Sequence, residues 1–287
     1  MMILVTTATG HLGKKTLDFL IQKVPALSLA ALVRDPAKAE DLQAQGISVR
    51  IGDYTDPISL DKAFQGIDTL LLISSGTLDN RVEQHQNAIN AAKAAGVKHL
   101  IYTSVVKASS DLTNINLRDH YHTEEMIKQS GIDYTVFRNT FYANLLAMTF
   151  GDALTTGTWS YPAGQAKINV ATRSDIAEAL ANVLVDPTLH VNQIYEITAP
   201  ISYTFYELAE IISGILKTPI EYRPISPALY KEKLVVAGVP QTYIPFMVGI
   251  AEGIGAGEFD VKSLMLKTLL NREPENLGLT LSHMLAN

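Results

Sequence analysis

The chain of 287 residues is long enough for one large domain, or for a core domain with a smaller one attached. Its 47% hydrophobic and 18% charged residues are the balance of a soluble globular protein, and a net charge of −6 without a long basic run argues against direct nucleic-acid binding. The chain has no cysteine, which excludes disulfides, thiol nucleophiles and cysteine-bound metals and fits a reducing compartment.

The first ten residues, "MMILVTTATG", lack the basic segment of a signal peptide, and their apolar run is too short for one. No stretch approaches the roughly 18–20 apolar residues that a membrane helix needs. We therefore expect a cytoplasmic protein without a membrane partner.

The first half of the chain alternates apolar runs with helical patterns. Six strands are predicted at residues 3–6, 28–34, 48–53, 68–74, 99–105 and 133–139. Helices are predicted between them at residues 14–23, 37–45, 56–67, 81–95 and 120–129, the third opened by Asp56 and Pro57 and the fourth ended by Gly96. Strands that alternate with helices predict an α/β fold with a doubly wound parallel sheet.

The regular alternation fades after Asn139. A helix is predicted to start near Ser174, a strand lies in "NQIYEITAP", and "SYTFYELAEIISGIL" has the pattern of an amphipathic helix. We expect a core domain over residues 1–150, to which segments near 168–198 return. Residues 151–287 are expected to form mainly a smaller α/β domain on the substrate side.

The loop "TTATGHLG", residues 6–13, follows the first strand and opens the first helix. A dinucleotide-binding loop has three glycines there, and Gly10 and Gly13 take the second and third positions while Thr7 takes the first. A β-branched residue resists positive φ, so the turn either runs through negative φ at Thr7 or is strained.

The first helix would still offer free N–H groups and the positive end of its dipole to a pyrophosphate. The loop therefore predicts the phosphate site of a Rossmann-type fold, against the plainer interpretation of a strand-to-helix turn that needs glycine. The predicted cofactor residues here are Thr7, Thr9, Gly10, His11, Leu12 and Gly13.

The second strand ends in "VRDPAK". An acidic residue at this end would bind the ribose hydroxyls of NAD, whereas an arginine can bind the 2′-phosphate of NADP. Arg34 offers a planar fork of donors and Lys38 a second positive charge, which favours NADPH. Asp35 follows Arg34 directly, so NADH stays open, and both cations could also be ordinary surface charges.

Seven segments of the chain, taken together in their order and spacing, resemble the NmrA-like group of atypical short-chain dehydrogenases. The resemblance is strongest to bacterial NAD(P)H:quinone oxidoreductases and triphenylmethane reductases. The resemblance covers nearly the whole chain, and Thr7 in place of the first glycine is its main departure. The matching segments are "TTATGHLG", "LVRDPAKA", "GDYTDPISLDKAFQGID", "AGVKHLIYTS", "DHYHTEEMIKQSGIDYTVFRN", "NVATRSDIAEALA" and "TLLNREPENL".

The resemblance implies more cofactor contacts at the carboxyl ends of the strands, where open α/β sheets bind ligands. Small polar residues also commonly cap strand ends without any ligand. The implied contacts are Asp53 and Tyr54 near the adenine, Ser74 and Ser75 beside the ribose, and Thr103 and Ser104 close to the nicotinamide.

A typical short-chain dehydrogenase uses a tyrosine and a lysine four residues later on one helix face. This chain has "DHYHTEEM" at the corresponding place, and Tyr121 is followed at position 125 by glutamate. The resemblance instead maps a His-x-x-x-Glu pattern onto His120 and Glu124, which share a helix face. His120 is expected to orient the substrate or donate a proton while Glu124 holds it, unless the pair only supports the fold.

The missing tyrosine bears on the reaction. Hydride addition to an alcohol-type carbonyl builds an alkoxide that needs a strong proton donor. Addition to a quinone builds a weakly basic hydroquinone anion that can take its proton late, even from water, and a cationic dye carbon needs no proton. The sequence therefore predicts an NADPH-dependent oxidoreductase that transfers hydride to a quinone or similar planar acceptor, with orientation supplying most of the catalysis.

The segment "RNTFYANLL" follows the sixth strand. Asn139 is predicted to position a carbonyl of the acceptor, and Phe141 and Tyr142 to line its pocket, although these aromatics fit a core between the domains almost as well. Weaker pocket candidates are Trp159, Tyr161, Phe246 and Met247.

Two other functions remain open at this stage. A non-catalytic NADP(H)-binding redox sensor of the NmrA type, which changes its protein partner with the cofactor state, would also lack the tyrosine and lysine. A sugar-nucleotide epimerase is disfavoured because it needs the tyrosine base. We expect neither a flavin nor a metal, and a homodimer is compatible with the sequence.

Overall fold

Helices and strands alternate along the computed structural model, which describes residues 1–286. The strands are β1 (Ile3–Val5), β2 (Leu29–Val33), β3 (Ser48–Ile51), β4 (Thr69–Leu72), β5 (His99–Val105), β6 (Asp133–Asn139), β7 (Phe141–Tyr142), β8 (Thr158–Tyr161), β9 (Lys167–Ala171), β10 (Gln193–Ile197), β11 (Ser202–Thr204) and β12 (Glu221–Pro224). The helices are α1 (His11–Leu20), α2 (Glu40–Ala44), α3 (Pro57–Ala63), α4 (Arg81–Ala94), α5 (Ile115–Ser130), α6 (Ala153–Thr156), α7 (Arg173–Val185), α8 (Phe205–Leu216), α9 (Pro227–Val236), α10 (Ile244–Gly255), α11 (Met265–Leu270) and α12 (Leu277–Leu285).

Seven strands form the central sheet in the order β10-β6-β5-β4-β1-β2-β3. β1 lies in the middle and pairs in parallel with β2 on one side and β4 on the other. The chain therefore changes its winding direction between β1 and β4, which is the topological switch point where open α/β sheets bind ligands. The predicted doubly wound fold is confirmed, and β10 extends the six strands of the first half to seven.

The burial of the strands explains their apolar sequences. β1, β4 and β5 are buried at every residue, as expected for strands with both faces covered. Alternate residues on one face join a single core cluster with residues of α3, α4 and α5, and α1 packs on α7. The residues of β1, β4 and β5 in this cluster are Leu4, Leu70, Leu72, Leu100 and Tyr102.

The helix bounds predicted from the sequence agree with the structure at some ends and differ at others. The Asp56 carboxylate accepts hydrogen bonds from the N–H groups of Ile58 and Ser59, so it caps α3 as predicted. The helix predicted at 37–45 is divided into a 3-10 turn, Pro36–Ala39, and α2. α5 begins at Ile115, five residues before the predicted start, and α1 begins at His11, so Gly13 lies inside its first turn.

The chain divides into two compact units. The first holds Met1–Val105, Asp119–Arg138 and Arg173–Tyr195, and the second holds Val106–Arg118, Asn139–Thr172 and the described residues from Glu196 onward. α7 lies in the first unit, within the segments near 168–198 that were expected from sequence to return to the core domain, and residues 106–118 and 139–150 lie in the second unit.

The second unit contains two small sheets, one in the order β11-β9-β7 and one of β12 and β8. Its aromatic core has Trp159 against Phe205, with ring centroids 5.0 Å apart, and Tyr161 stacked on Phe205 at 4.8 Å. The predicted amphipathic helix is preceded by β11 and starts as α8 with a capping box between Thr204 and Glu207. Across residues 1–286, no helix is both long enough and apolar enough to cross a membrane.

Candidate functional site

The glycine loop of the first unit is anchored by a threonine at the end of β1. The buried Thr6 hydroxyl donates to the Leu71 carbonyl oxygen of β4 at 2.9 Å and accepts from the Ile73 N–H at 2.9 Å and the Tyr54 hydroxyl at 2.5 Å. One side chain therefore ties β1 to β4 and to the loop after β3. A fully hydrogen-bonded buried hydroxyl stabilises one conformation, so the start of the loop is fixed.

Thr7 adopts a φ of 47°, in the left-handed region. The first-glycine position thus turns through positive φ, as it would with glycine, and the β-branched residue bears the strain. Thr7 is exposed. Of the two alternatives left open by the sequence, the strained loop is the one observed.

Glycine is required at position 13 because α1 packs closely against the loop at Thr7 and Ala8. A Cβ at Gly13 would lie 2.6 Å from the Thr7 carbonyl oxygen, a distance that real Cβ atoms essentially never show, and 3.0 Å from the Ala8 Cα. Any larger residue would push α1 away from the carboxyl end of β1.

The N-terminus of α1 has the features of an anion site. Gly10 is its N-cap, no side chain caps it, and its first turn has no acidic residue. Its first N–H groups therefore lack intrahelical partners and add to the positive end of the dipole. Thr7, Thr9, Gly10 and His11 are exposed around this end, whereas Leu12 is buried. The glycine cradle and the uncapped helix fit the pyrophosphate of a dinucleotide.

The carboxyl end of β2 presents cations. Arg34 and Lys38 are both exposed. The Asp35 carboxylate accepts from the Ala37 N–H at 3.1 Å and caps the 3-10 turn. Asp35 is exposed beside the two cations, and Arg34 and Lys38 can donate hydrogen bonds to a phosphate.

Asp53 and Tyr54 follow β3 and behave differently. The Asp53 carboxylate accepts from the N–H and Oγ1 of Thr55, both at 2.8 Å. Burial opposes the charge of Asp53, but these hydrogen bonds and the positive charge of Arg34 lower its pKa, so it stays ionised. Tyr54 is buried, and its hydroxyl contacts Thr6 and the Ile73 carbonyl, so its side chain serves the core.

Three of the four hydroxyl residues predicted at the carboxyl ends of β4 and β5 are buried. The Ser75 hydroxyl donates to Gln84 at 2.7 Å, and Thr103 Oγ1 accepts from the Ser74 N–H at 2.9 Å. Ser74 is the half-buried one. Arg81 clamps the loop after β4 by donating from Nε to the Ser75 carbonyl and from Nη2 to the Thr77 carbonyl.

His120 on α5 is held by tyrosine rather than by Glu124. Its Nδ1 lies 2.8 Å from the Tyr102 hydroxyl, and only 9% of the residue is exposed. Burial, with the charges of Arg81 and His85 nearby, holds the pKa of His120 well below its ordinary value. His120 is therefore a neutral ring at physiological pH and not an imidazolium acid.

A second buried histidine, His85, lies beside Tyr102 with their rings edge to face. Its Nε2 accepts from the Ser75 N–H at 2.9 Å, so Nδ1 carries the proton toward Thr123 Oγ1 at 2.8 Å. Burial and the charge of Arg81 lower the pKa of His85 to about 3. Both histidines therefore take fixed, neutral places between α4, α5 and β5.

Glu124 is fully buried and belongs to a different cluster. Its Oε1 accepts from Ser104 Oγ at 2.6 Å and from Arg138 Nε at 2.9 Å, and its Oε2 accepts from Arg138 Nη2 at 2.7 Å. The expected support of His120 by Glu124 is not present, because this carboxylate is bound by the guanidinium fork and by Ser104. The i, i+4 spacing places His120 and Glu124 on one face of α5. Their partners differ, because Tyr102 of β5 contacts His120 whereas Ser104 of β5 and Arg138 of β6 bind Glu124.

The predicted acceptor residues belong to the second unit. Phe141 is buried against Phe259, with ring centroids 5.9 Å apart, and Tyr142 is half-buried. Asn139 donates from Nδ2 to the Tyr142 hydroxyl at 3.2 Å, while its buried Oδ1 has no partner among the described residues. Trp159 and Tyr161 are wrong as pocket candidates, since both are fully buried in the aromatic core.

Sequence reasoning missed the strand and helix partners of the predicted residues. Arg138 had a signal in the sequence, because it directly follows Val136 and Phe137, two apolar residues of β6, and a charge in such a strand needs a partner. Tyr102, His85 and Thr123 had none, because their meeting depends on the packing of α4 and α5 on β5. Within residues 1–286, no group of three or more metal-ligating side chains is placed to bind a metal.

Comparison with known proteins gives full-length matches. A model of the NmrA-like family matches residues 1–274. Quinone oxidoreductase 2 from Escherichia coli (strain K12) is 38% identical over 284 residues, which is 99% of this chain and 98% of that protein.

Two solved structures share the fold. An NADPH-dependent quinone oxidoreductase from Escherichia coli, complexed with NADPH, superposes with a TM-score of 0.95 at 37% identity and full coverage of both chains. A Citrobacter sp. triphenylmethane reductase complexed with NADP(H) gives a TM-score of 0.91 at 36% identity, covering 98% of this chain and 99% of that one.

Thr7→Gly is expected to raise the free energy of unfolding by about 1 kcal/mol, because relief of the left-handed strain exceeds the extra entropy of glycine in the unfolded chain. Thr9→Gly is the matched control in the same loop, since Thr9 is exposed and is not at positive φ, and it should lower stability slightly. Urea denaturation of the three proteins measures both effects. Equal destabilisation by both changes would contradict strain at Thr7.

The buried histidines predict acid sensitivity. His85 titrates near 6.5 in the unfolded chain but at about 3 when folded, so the unfolded state binds more protons between these values. Above about pH 6.5 the ring is neutral in both states, so its burial costs no protonation energy. As the pH falls from there toward 3, the free energy of unfolding decreases by up to about 1.4 kcal/mol per pH unit. Denaturation midpoints at several pH values should show a shallower slope for His85→Gln and an unchanged slope for His122→Gln, an exposed neighbour on α5. An unchanged slope for His85→Gln would contradict a neutral buried ring.

Proposed function

The chain belongs to the NmrA-like family, as its motifs predicted, and we propose that it is an NADPH-dependent oxidoreductase that transfers hydride to a quinone or a similar planar acceptor. The two structural relatives, whose names describe a quinone oxidoreductase and a triphenylmethane reductase with NADPH or NADP(H), support this proposal.

The arrangement on α5 is the observation that carries the proposal. His120 is neutral and buried, Glu124 is bound by Arg138 and Ser104, and no tyrosine–lysine pair is present. None of these groups is a strong proton donor. The reaction that suits this site is one whose product tolerates late protonation, as a hydroquinone anion does.

NADPH supplies the hydride when bound, and the chain supplies its position. The uncapped N-terminus of α1 and the glycine cradle would hold the pyrophosphate, and Arg34 with Lys38 would hold the 2′-phosphate. Further cofactor contacts are proposed at the carboxyl ends of β3, β4 and β5, from Asp53, Ser74, Thr103 and Ser104. In the first unit, His120 would orient the acceptor as a neutral ring. Asn139 and Tyr142, which belong to the second unit, stay predictions from the sequence.

The balance of the reaction follows from these roles. The quinone gains the hydride as one electron pair and one hydrogen, and its oxygen becomes a phenolate. One proton from water completes the hydroquinone, so no side chain has to change its protonation state. Orientation of donor and acceptor therefore supplies most of the rate enhancement.

The first test is quinone-dependent oxidation of NADPH by purified protein, followed by absorbance, with NADH for comparison. Turnover well above the uncatalysed rate and faster with NADPH is the expected result. Intact NADPH binding by titration without turnover would contradict the enzyme and favour the redox-sensor function.

Arg34→Gln is expected to raise the KM for NADPH by roughly 10- to 100-fold, because a charge-assisted bond to the 2′-phosphate is lost. The KM for NADH should change little, since NADH lacks this phosphate. Arg223→Gln removes another exposed guanidinium, from the ion pair with Glu221, and is the control. If Arg34→Gln weakened both cofactors equally, Arg34 would not be the 2′-phosphate residue.

A further inference from the structure

Ser104 differs from the other hydroxyl residues at the carboxyl ends of β4 and β5 in how its hydrogen is bound. It donates that hydrogen to the Glu124 carboxylate at 2.6 Å. The Ser74 hydroxyl has only a long contact of 3.5 Å to a carbonyl, and Thr103 Oγ1 accepts from a backbone N–H. Of these three, Ser104 alone has its hydrogen bound by an anion.

The Glu124 carboxylate cannot turn away from Ser104. Arg138 binds both of its oxygens through Nε and Nη2, which is the parallel fork that fixes a carboxylate plane. Glu124 is fully buried, and Arg138 is 20% exposed. Burying such a pair costs desolvation energy that its attraction often only balances, so stability alone gives little reason for it.

The consequence for Ser104 is a fixed polarity. A hydroxyl has one hydrogen and two lone pairs, so with its hydrogen committed it can only accept further hydrogen bonds. Donation to an anion also polarises the oxygen and makes it a stronger acceptor.

The position of Ser104 selects the ligand group. In a doubly wound sheet one mononucleotide half lies over β1 to β3 and the other over β4 to β6. Arg34, at the end of β2, marks the adenosine side, so the nicotinamide half belongs to the side of β5. The nicotinamide ring carries one strong donor, the NH2 of its carboxamide.

We propose that Ser104 accepts a hydrogen bond from the nicotinamide carboxamide and that Glu124 and Arg138 are positioning residues that hold Ser104 in this acceptor role. The inference rests on the proposed function for the identity of the cofactor. It assigns Glu124 a role through Ser104 rather than through the acceptor.

The test compares binding of NADP⁺ with binding of its acetylpyridine analogue, in which a methyl ketone replaces the carboxamide and the NH2 is absent. Titration of the wild-type protein should show about threefold to tenfold weaker binding of the analogue, the worth of one hydrogen bond. In Ser104→Ala the two ligands should bind equally, because the acceptor is gone.

Ser130→Ala is the matched control. Ser130 is also a buried serine, but it lies at the carboxyl end of α5 and donates to the Ile127 carbonyl. It should keep the wild-type preference for NADP⁺. An equal loss of affinity for both ligands in Ser104→Ala would show a structural role only and would overturn the proposal.

Arg138→Lys tests the clamp, since it keeps the positive charge beside Glu124 but removes the fork. The preference for NADP⁺ should fall toward that of Ser104→Ala. An unchanged preference in a folded Arg138→Lys protein would overturn the positioning role.

These titrations involve no acceptor, so they separate the inference from the proposed reaction. Failure of wild-type protein to bind NADP⁺ would contradict the proposed function itself. Binding without discrimination by the wild type would contradict only the role of Ser104.

Discussion

The close approach of α1 to the end of β1 is the constraint on which the proposed nucleotide site depends. Gly13 lies so near the Thr7 carbonyl oxygen that a Cβ would stand 2.6 Å from it, and this contact brings the helix N-terminus to the switch point of the sheet. The Thr6 hydroxyl, bonded to β4 and to Tyr54, fixes the strand end from which the loop departs. The strained φ of Thr7 shows that the chain keeps this backbone path even without the first glycine.

The polar interior beside β5 follows a second rule, that buried polar groups need partners. Between α4, α5 and β5, His85 and His120 stay neutral, whereas Glu124 stays within a guanidinium fork. The neutral rings cost little to bury, and the carboxylate is tolerated only because three hydrogen bonds compensate its charge. The face of α5 thus holds fixed dipoles and one fixed acceptor, which suits chemistry that depends on orientation.

Fixed neutral histidines and a clamped carboxylate fit a dehydrogenase fold that lacks the usual tyrosine–lysine proton donor. A planar acceptor that becomes a stabilised anion makes modest demands on proton supply. The chain then needs to bind the cofactor in one orientation, and we propose this role for the groups at the ends of β1, β2, β4 and β5.

The sequence by itself determined the doubly wound order of helices and strands, the Asp56 cap and the place of the glycine loop, because these follow from local periodicity and turn chemistry. It also pointed to His120 and Glu124, since their spacing puts both on one helix face. Only the tertiary structure decided their partners, because Tyr102, Ser104 and Arg138 come from strands distant in sequence. It likewise placed Trp159 and Tyr161 in a core, since a buried aromatic and a pocket aromatic have the same sequence pattern and differ only in what packs against them.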